Sequence, residues 1–84
     1  MQGKVLVVDD EQSIVDILQF NLEKEGFSVC TGSDGLQALT LFEREKPDIV
    51  LLDVMMPKMD GLEVCRKIRE TSNVPILMLT ARAE

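Results

Sequence analysis

The sequence has few aromatic residues and none of the long apolar runs that mark membrane proteins. Its 84 residues include three Phe but no Trp or Tyr, so the core has to be built from Val, Leu, Ile and Met. No apolar run approaches the length of about 20 residues that a membrane-spanning helix needs. The N-terminus also lacks the layout of a signal peptide. These absences predict a cytoplasmic protein that does not associate with membranes.

Cysteines and clustered basic residues are also scarce. The only cysteines, Cys30 and Cys65, fit no Cys-x-x-Cys spacing, and we expect two buried, reduced thiols instead of a disulfide or a metal pair. The formal net charge is −6, and no stripe of Lys and Arg is available to neutralise phosphates, which argues against direct contact with nucleic acid. The apolar share of 45% argues against disorder. Residues 1–84 are therefore expected to form one small domain.

Strand-like and helix-like patterns alternate along the chain. The apolar runs predict strands at Lys4–Asp9, Phe27–Thr31, Asp48–Asp53 and Ile76–Leu79. Helices are predicted from Gln12 to Glu25, from Ser33 or Asp34 onwards, and from Asp60 onwards. The apolar faces of the second and third helices are expected to include Leu36 and Leu62. Because strands joined by helical crossovers run parallel, the pattern predicts an α/β fold with helices on both faces of a parallel sheet.

Acidic residues stand at the ends of two of these strands. Asp9 and Asp10 close the first apolar run, and Asp53 closes the third. Ligands of parallel sheets bind beyond the carboxyl ends of the strands, so these side chains are expected to meet there. Each alone could simply end a strand or cap a helix. Three neighbouring carboxylates repel one another unless a cation lies among them, which predicts a divalent-metal site with a possible nucleophile.

Three motifs in order resemble the receiver domain of bacterial response regulators. They are V-L-V-V-D-D-E, D-I-V-L-L-D-V-M-M-P-K-M-D-G-L-E and P-I-L-M-L-T-A. The resemblance covers the whole chain and implies a flavodoxin-like fold with the strand order 2-1-3-4. The first helix, I-L-Q-F-N-L-E-K-E-G-F, resembles receivers that precede a winged-helix DNA-binding domain, which implies a role in transcription regulation.

The resemblance implies a role for each acidic residue. Asp53 resembles the aspartate that takes a phosphoryl group from a sensor histidine kinase. Asp9 and Asp10 resemble the acidic pair that holds Mg²⁺ together with the phosphoacceptor, and the backbone carbonyl of Met55 would be a further ligand. These implied roles suit an ion that prefers oxygen ligands and that offsets charge during phosphoryl transfer.

Further residues correspond to other parts of the family's site. Thr80 resembles the switch hydroxyl that turns toward the phosphoryl group, and the backbone N–H of Ala81 would contact another phosphoryl oxygen. Pro57 and Gly61 resemble the residues that shape the loop after the phosphorylated strand. Lys58 lies on that loop and does not match the family's phosphate-binding lysine, which follows a fifth strand.

The sequence ends at Glu84, whereas the family continues through a further helix, strand and helix. From this we expect impaired phosphorylation, and a homodimer or domain-exchanged assembly formed through the exposed fourth strand, Ile76–Leu79. One alternative is a self-assembling receiver fragment without signalling activity. A less favoured alternative is a Mg²⁺-dependent phosphohydrolase of the haloacid dehalogenase type, because that class needs a second Asp where this chain has Met55.

Overall fold

A computed structural model describes residues 3–56 and 58–79. The elements are β1 (Lys4–Val8), α1 (Gln12–Lys24), β2 (Ser28–Gly32), α2 (Gly35–Glu45), β3 (Ile49–Asp53), α3 (Gly61–Arg69) and β4 (Ile76–Leu79). Their alternation confirms the predicted order of strands and helices. Among the described residues, no helix combines the length and the apolar character that crossing a bilayer requires.

The strands form one parallel sheet in the order β2-β1-β3-β4. In the centre of the sheet Val8 pairs with Leu52, and on the outer side of β1 it pairs with Gly32. On the other side of β3, Asp53 pairs with Leu79. The predicted parallel α/β fold and its strand order are both confirmed. Because the strands are parallel and end at nearly the same level, all of their carboxyl ends lie along one edge of the sheet.

The core is aliphatic and lies on both faces of the sheet. One cluster packs beneath α2 and α3, and its fully buried members are Leu6, Val8, Ala38, Val50, Leu52, Val64 and Ile68. The other packs beneath α1 and consists of Val5, Val7 and Val15. Successive side chains of a strand point to opposite faces, so β1 contributes to both clusters. Fully burying one such side chain contributes about 1.5–3 kcal/mol, and these clusters therefore hold the sheet and helices together.

Acidic caps determine where two of the helices begin. The Asp34 carboxylate accepts a hydrogen bond from the Gln37 N–H at 2.9 Å, and the Asp60 carboxylate accepts one from the Glu63 N–H at 3.0 Å. Only half of a capping box forms at α3, since the Glu63 carboxylate pairs with basic side chains of the next turn instead. Gly26, with φ 101°, follows the end of α1 as its sequence position predicts.

The predicted inward positions of Leu36 and Leu62 are wrong. Their exposed fractions are 53% and 59%. The residue before each leucine, Gly35 in α2 and Gly61 in α3, is buried instead. Adjacent helical residues are turned by about 100° from each other, so a helix that buries its first glycine points the following leucine toward solvent. The small residue faces inward because neighbouring backbone lies directly against it.

Candidate functional site

Three of the predicted carboxylates meet at the carboxyl edge of the sheet. Asp53 is the last residue of β3, and Asp9 directly follows β1. Since Val8 pairs with Leu52, the next residues along these two strands come side by side. One carboxylate oxygen from each of Asp9, Asp10 and Asp53 lies within 4.8 Å of the others. The structure therefore brings together the acidic residues that the sequence singles out.

Two of these carboxylates are buried and oriented by backbone N–H groups. Asp9 and Asp53 are each only 3% exposed. Asp9 Oδ1 accepts a hydrogen bond from the Glu11 N–H at 2.9 Å, and Asp53 Oδ1 accepts one from the Met55 N–H at 3.3 Å. Asp10 is exposed and reaches the cluster from the solvent side. The site thus combines two fixed carboxylates with one that solvent can reach.

The electrostatics of the cluster favour a bound cation. Burial raises the pKa of the Asp53 carboxyl above its ordinary value, and the nearby charges of Asp9 and Asp10 raise it further. The Met55 N–H acts in the opposite direction. A divalent cation among the three carboxylates would remove this penalty, because opposite charge favours the ionised form. An all-oxygen donor set of this kind suits Mg²⁺.

The loop after β3 contains several of the residues implied by the resemblance. Met55 is 64% exposed, and its backbone N–H faces Asp53. A metal-binding role for the Met55 carbonyl stays a prediction. Pro57, Thr80 and Ala81 lie outside the described residues.

The same loop contacts α2 in a way that the sequence did not reveal. Lys58 Nζ donates to Asp34 Oδ2 at 3.4 Å, across 24 residues of sequence. Next to this pair, the backbone of Met59 lies directly against Gly35. The sequence identified Asp34 as a possible helix cap, and its second contact has no local signal. Only the long-range fold brings Lys58 to it.

The two cysteines are free, as their spacing predicts, but the prediction that both are buried is wrong, because each is only half-buried. Cys30 Sγ lies 3.7 Å from the Val5 carbonyl oxygen, and burial raises the pKa of the Cys30 thiol above its ordinary value. A thiol in this environment is a poor nucleophile. Cys65 packs against the cluster beneath α2 and α3. Neither cysteine belongs to the carboxylate site.

Comparison with known sequences identifies close relatives. A family model described as the response regulator receiver domain matches residues 5–84. Over 85 residues the chain is 58% identical to the alkaline phosphatase synthesis transcriptional regulatory protein PhoP of Bacillus subtilis strain 168. That alignment covers 100% of this chain and 35% of the relative, so the chain spans about a third of that protein's length.

Receiver domains are also among the solved structures of similar fold. The N-terminal domain of a response regulator receiver protein from Methanoculleus marisnigri JR1 superposes with a TM-score of 0.92 at 38% identity, covering 100% of this chain and 71% of that one. The BeF3-activated N-terminal receiver domain of Klebsiella pneumoniae RstA gives a TM-score of 0.91 at 34% identity, covering 96% and 69%. With the family match spanning nearly the whole sequence, this chain belongs to the response regulator receiver domains.

Proposed function

We propose that this chain accepts a phosphoryl group on Asp53 from the phosphohistidine of a sensor histidine kinase. The observation that carries the proposal is the cluster of three carboxylates whose oxygens lie within 4.8 Å of one another. Within it, Asp53 is both buried and held by a backbone hydrogen bond. A nucleophile held in this way needs little further ordering to reach the transition state. We take residues 1–84 as one receiver-type unit.

The transfer step requires only the phosphohistidine donor, the Asp53 acceptor and a proton. A carboxylate oxygen of Asp53 attacks the phosphorus atom, and an O–P bond forms. The P–N bond to the imidazole breaks, its electron pair stays on the nitrogen, and the imidazole takes up a proton as it leaves. Attack requires the ionised form of Asp53, which the opposite charge of a bound cation would favour.

We infer that Asp9, Asp10 and Asp53 hold Mg²⁺, with the Met55 carbonyl as a further ligand. When bound, Mg²⁺ supplies positive charge that offsets repulsion between the anionic donor and the anionic acceptor. Asp9 and Asp53 would offer the ion buried oxygens. Asp10 would complete the set from the exposed side. The three negative charges concentrated in this small volume support this assignment.

Thr80 and Ala81 are proposed to contact the phosphoryl group once it is on Asp53. They follow Leu79 in the sequence, and Leu79 is the partner of Asp53 in the pairing of β3 with β4. Leu79, the last residue of β4, therefore lies at the edge of the sheet that carries the acidic cluster. We propose the Thr80 hydroxyl as the switch group and the Ala81 backbone N–H as a second donor to the phosphoryl oxygens.

The similarity to a transcriptional regulatory protein supports an output at the level of transcription. We propose that this acidic domain receives the signal in the cytoplasm and that contact with DNA belongs to another domain. The net charge of −6 agrees with that division, because phosphate backbones repel a negatively charged surface.

We also infer that the 84-residue chain self-associates through β4, by edge pairing or by exchange of elements. In the described part of the chain, β4 lies at one end of the sheet and pairs only with β3. Leu77 in this strand is 56% exposed. An edge strand with unpaired backbone groups and an exposed apolar side chain favours pairing with a second strand.

The decisive experiment is intact mass spectrometry after brief incubation with acetyl phosphate. Wild type is expected to gain one phosphoryl group in Mg²⁺ and none in EDTA, and Asp53→Asn is expected to gain none in either. Equal uptake by Asp53→Asn would overturn the assignment of Asp53. Circular dichroism of the variant shows whether it is folded. Turnover of a generic phosphate ester by wild type would favour a phosphohydrolase instead.

A further inference from the structure

We propose that Asp34 and Lys58 are positioning residues for the phosphoacceptor site, because their ion pair ties the loop after Asp53 to the first turn of α2. This role depends on the proposed function of Asp53. Neither side chain belongs to the carboxylate cluster. They act on it through the backbone of the loop between β3 and α3, which we call the β3–α3 loop (residues 54–60).

The two oxygens of Asp34 contact two different parts of the chain. Oδ1 accepts the hydrogen bond from the Gln37 N–H that caps α2, at 2.9 Å. Oδ2 accepts from Lys58 Nζ at 3.4 Å. Capping a helix requires only one oxygen, and Asn or Ser serves that purpose equally well. The second oxygen is therefore available for a purpose other than the cap, and in this structure it is bound to the β3–α3 loop. Asp34 is only 8% exposed, so its position is well defined.

Lys58 has an unfavourable backbone conformation for a lysine. Its φ is 70°, in the left-handed region that favours Gly or Asn. The backbone there turns sharply, and the side chain, though 62% exposed, reaches back to Asp34. A residue held in such a conformation is maintained by its surroundings, and sites of this kind cluster at ligand-binding and switch regions. The contact with Asp34 is one of the interactions that holds the turn in place.

Close backbone packing keeps the loop and α2 together beside this ion pair. A Cβ atom on Gly35 would lie 2.5 Å from the Met59 carbonyl oxygen and 2.6 Å from Met59 Cβ. At the other end of the loop, the Gly61 N–H donates to the Val54 carbonyl at 2.9 Å. The loop is thus fixed at both of its ends. Met55, which orients Asp53, lies between these fixed points.

A displaced loop would disturb the acidic cluster through Met55. Its N–H donates to Asp53, and its carbonyl is the proposed further ligand for Mg²⁺. Loss of the Asp34–Lys58 contact would leave the β3–α3 loop less constrained. Because Lys58 is largely exposed, the ion pair itself contributes little to overall stability. The effect is therefore expected in metal affinity rather than in folding.

The test measures Mg²⁺ affinity by NMR, following the Met55 amide during a titration of the 84-residue chain. Asp34→Asn keeps the cap but loses the charge, and Lys58→Asn suits the left-handed backbone but loses the ammonium group. Each variant is expected to raise the Kd for Mg²⁺ about tenfold, as loss of a group that orients metal ligands commonly does. The double variant is expected to have the same Kd for Mg²⁺ as either single variant, because both substitutions remove the same contact. Lys58→Arg should keep the Kd for Mg²⁺ close to that of wild type.

A matched control is available at the other end of α2. Lys46 is also a lysine with positive φ, at 47°, and its Nζ donates to the nearby Glu43 carbonyl at 3.5 Å. Lys46→Asn removes the same charge without touching the β3–α3 loop, so its Kd should stay close to that of wild type. A similar loss of affinity in Lys46→Asn would overturn the proposal, as would wild-type affinity in both Asp34→Asn and Lys58→Asn.

The two proposals fail in different ways. The titration does not depend on phosphoryl transfer, so it reports on the positioning role even where uptake is absent. Phosphoryl uptake by Asp53→Asn would overturn the function of Asp53 and leave the effect of Asp34 on Mg²⁺ affinity in place. Phosphoryl uptake that depends on Asp53, combined with wild-type Mg²⁺ affinity in both Asp34→Asn and Lys58→Asn, would overturn only the positioning role.

Discussion

Gly61 packs directly against the backbone of Asp53. A Cβ atom at Gly61 would meet the Asp53 carbonyl oxygen and would lie 2.8 Å from Val54 Cα. The first turn of α3 therefore touches the backbone at the end of β3. The chain can return this closely only because residue 61 has no side chain, and the position of α3 is coupled to that of Asp53.

The substitution Gly61→Ala is expected to destabilise the protein by about 1–3 kcal/mol, the usual cost of overpacking a close contact. It should also weaken Mg²⁺ binding, since the backbone of Asp53 has to shift. Urea denaturation measures the first effect and a Mg²⁺ titration the second. Leu62→Ala is the control, because Leu62 is 59% exposed and its loss should change stability by no more than about 0.5 kcal/mol. Equal stability of Gly61→Ala and wild type would contradict the close contact.

The substitution Asp53→Asn is expected to stabilise the metal-free protein. It removes a buried charge whose pKa is raised by burial and by Asp9 and Asp10. Relief of about 1 kcal/mol would raise the Tm by about 4–8 °C in a domain of this size. Saturating Mg²⁺ should raise the Tm of wild type more than that of the variant, because the variant offers one carboxylate fewer. Thermal unfolding in EDTA and in Mg²⁺ measures both effects.

The control for this stability change is Asp16→Asn. Asp16 is an exposed residue of α1 that accepts a hydrogen bond from Gln12, so the substitution lowers the net negative charge without touching the cluster. Its Tm should differ little from that of wild type in either condition. If Asp16→Asn raises the Tm as much as Asp53→Asn does, the stabilisation reflects the overall charge of the protein and not repulsion within the site.

The acidic cluster could be predicted from the sequence because it depends on strand ends. Asp9 and Asp53 each follow an apolar run, and parallel strands place such positions along one edge. The register of β1 with β3 then brings them side by side. The helix cap at Asp34 was predictable for a similar reason, since capping is a local property of a few consecutive residues.

What the sequence did not reveal depends on contacts between distant segments. Helical periodicity favours the larger apolar residue as the buried one and therefore predicts that Leu36 and Leu62 face inward. The decisive factor is how closely neighbouring backbone approaches Gly35 and Gly61, which periodicity does not encode. The contact between Asp34 and Lys58 likewise exists only once the β3–α3 loop and α2 meet.

The Asp34 carboxyl is expected to titrate below the ordinary range for aspartate. The Gln37 N–H lowers its pKa most, and the positive charge of Lys58 lowers it further. A folded-state pKa below the unfolded one contributes stability above the unfolded value of about 3.9, and this is lost as the pH falls through the folded value. The small stability advantage of wild type over Asp34→Asn should therefore be present at neutral pH and disappear in acid.

Carbon-13 NMR of the Asp34 carboxyl measures that pKa directly. In Lys58→Asn it should move part of the way back toward the ordinary value, because the hydrogen bond from Gln37 remains. Urea denaturation of wild type and Asp34→Asn over a series of pH values provides the second measurement. An Asp34 that titrates at or above the ordinary value, or a stability difference that does not change with pH, would contradict the assigned contacts.

Self-association through β4 should be sensitive to a single charge on its exposed face. Leu77 is 56% exposed, so Leu77→Lys is expected to preserve the fold while placing an ammonium group where a second strand would dock. Multi-angle light scattering at a series of concentrations should show an assembly for wild type and a monomer for Leu77→Lys. Phe20→Lys is the matched control, because Phe20 is 66% exposed but lies on α1, away from the strand edge. A wild-type monomer at every concentration, or equal dissociation by both variants, would exclude β4 as the interface.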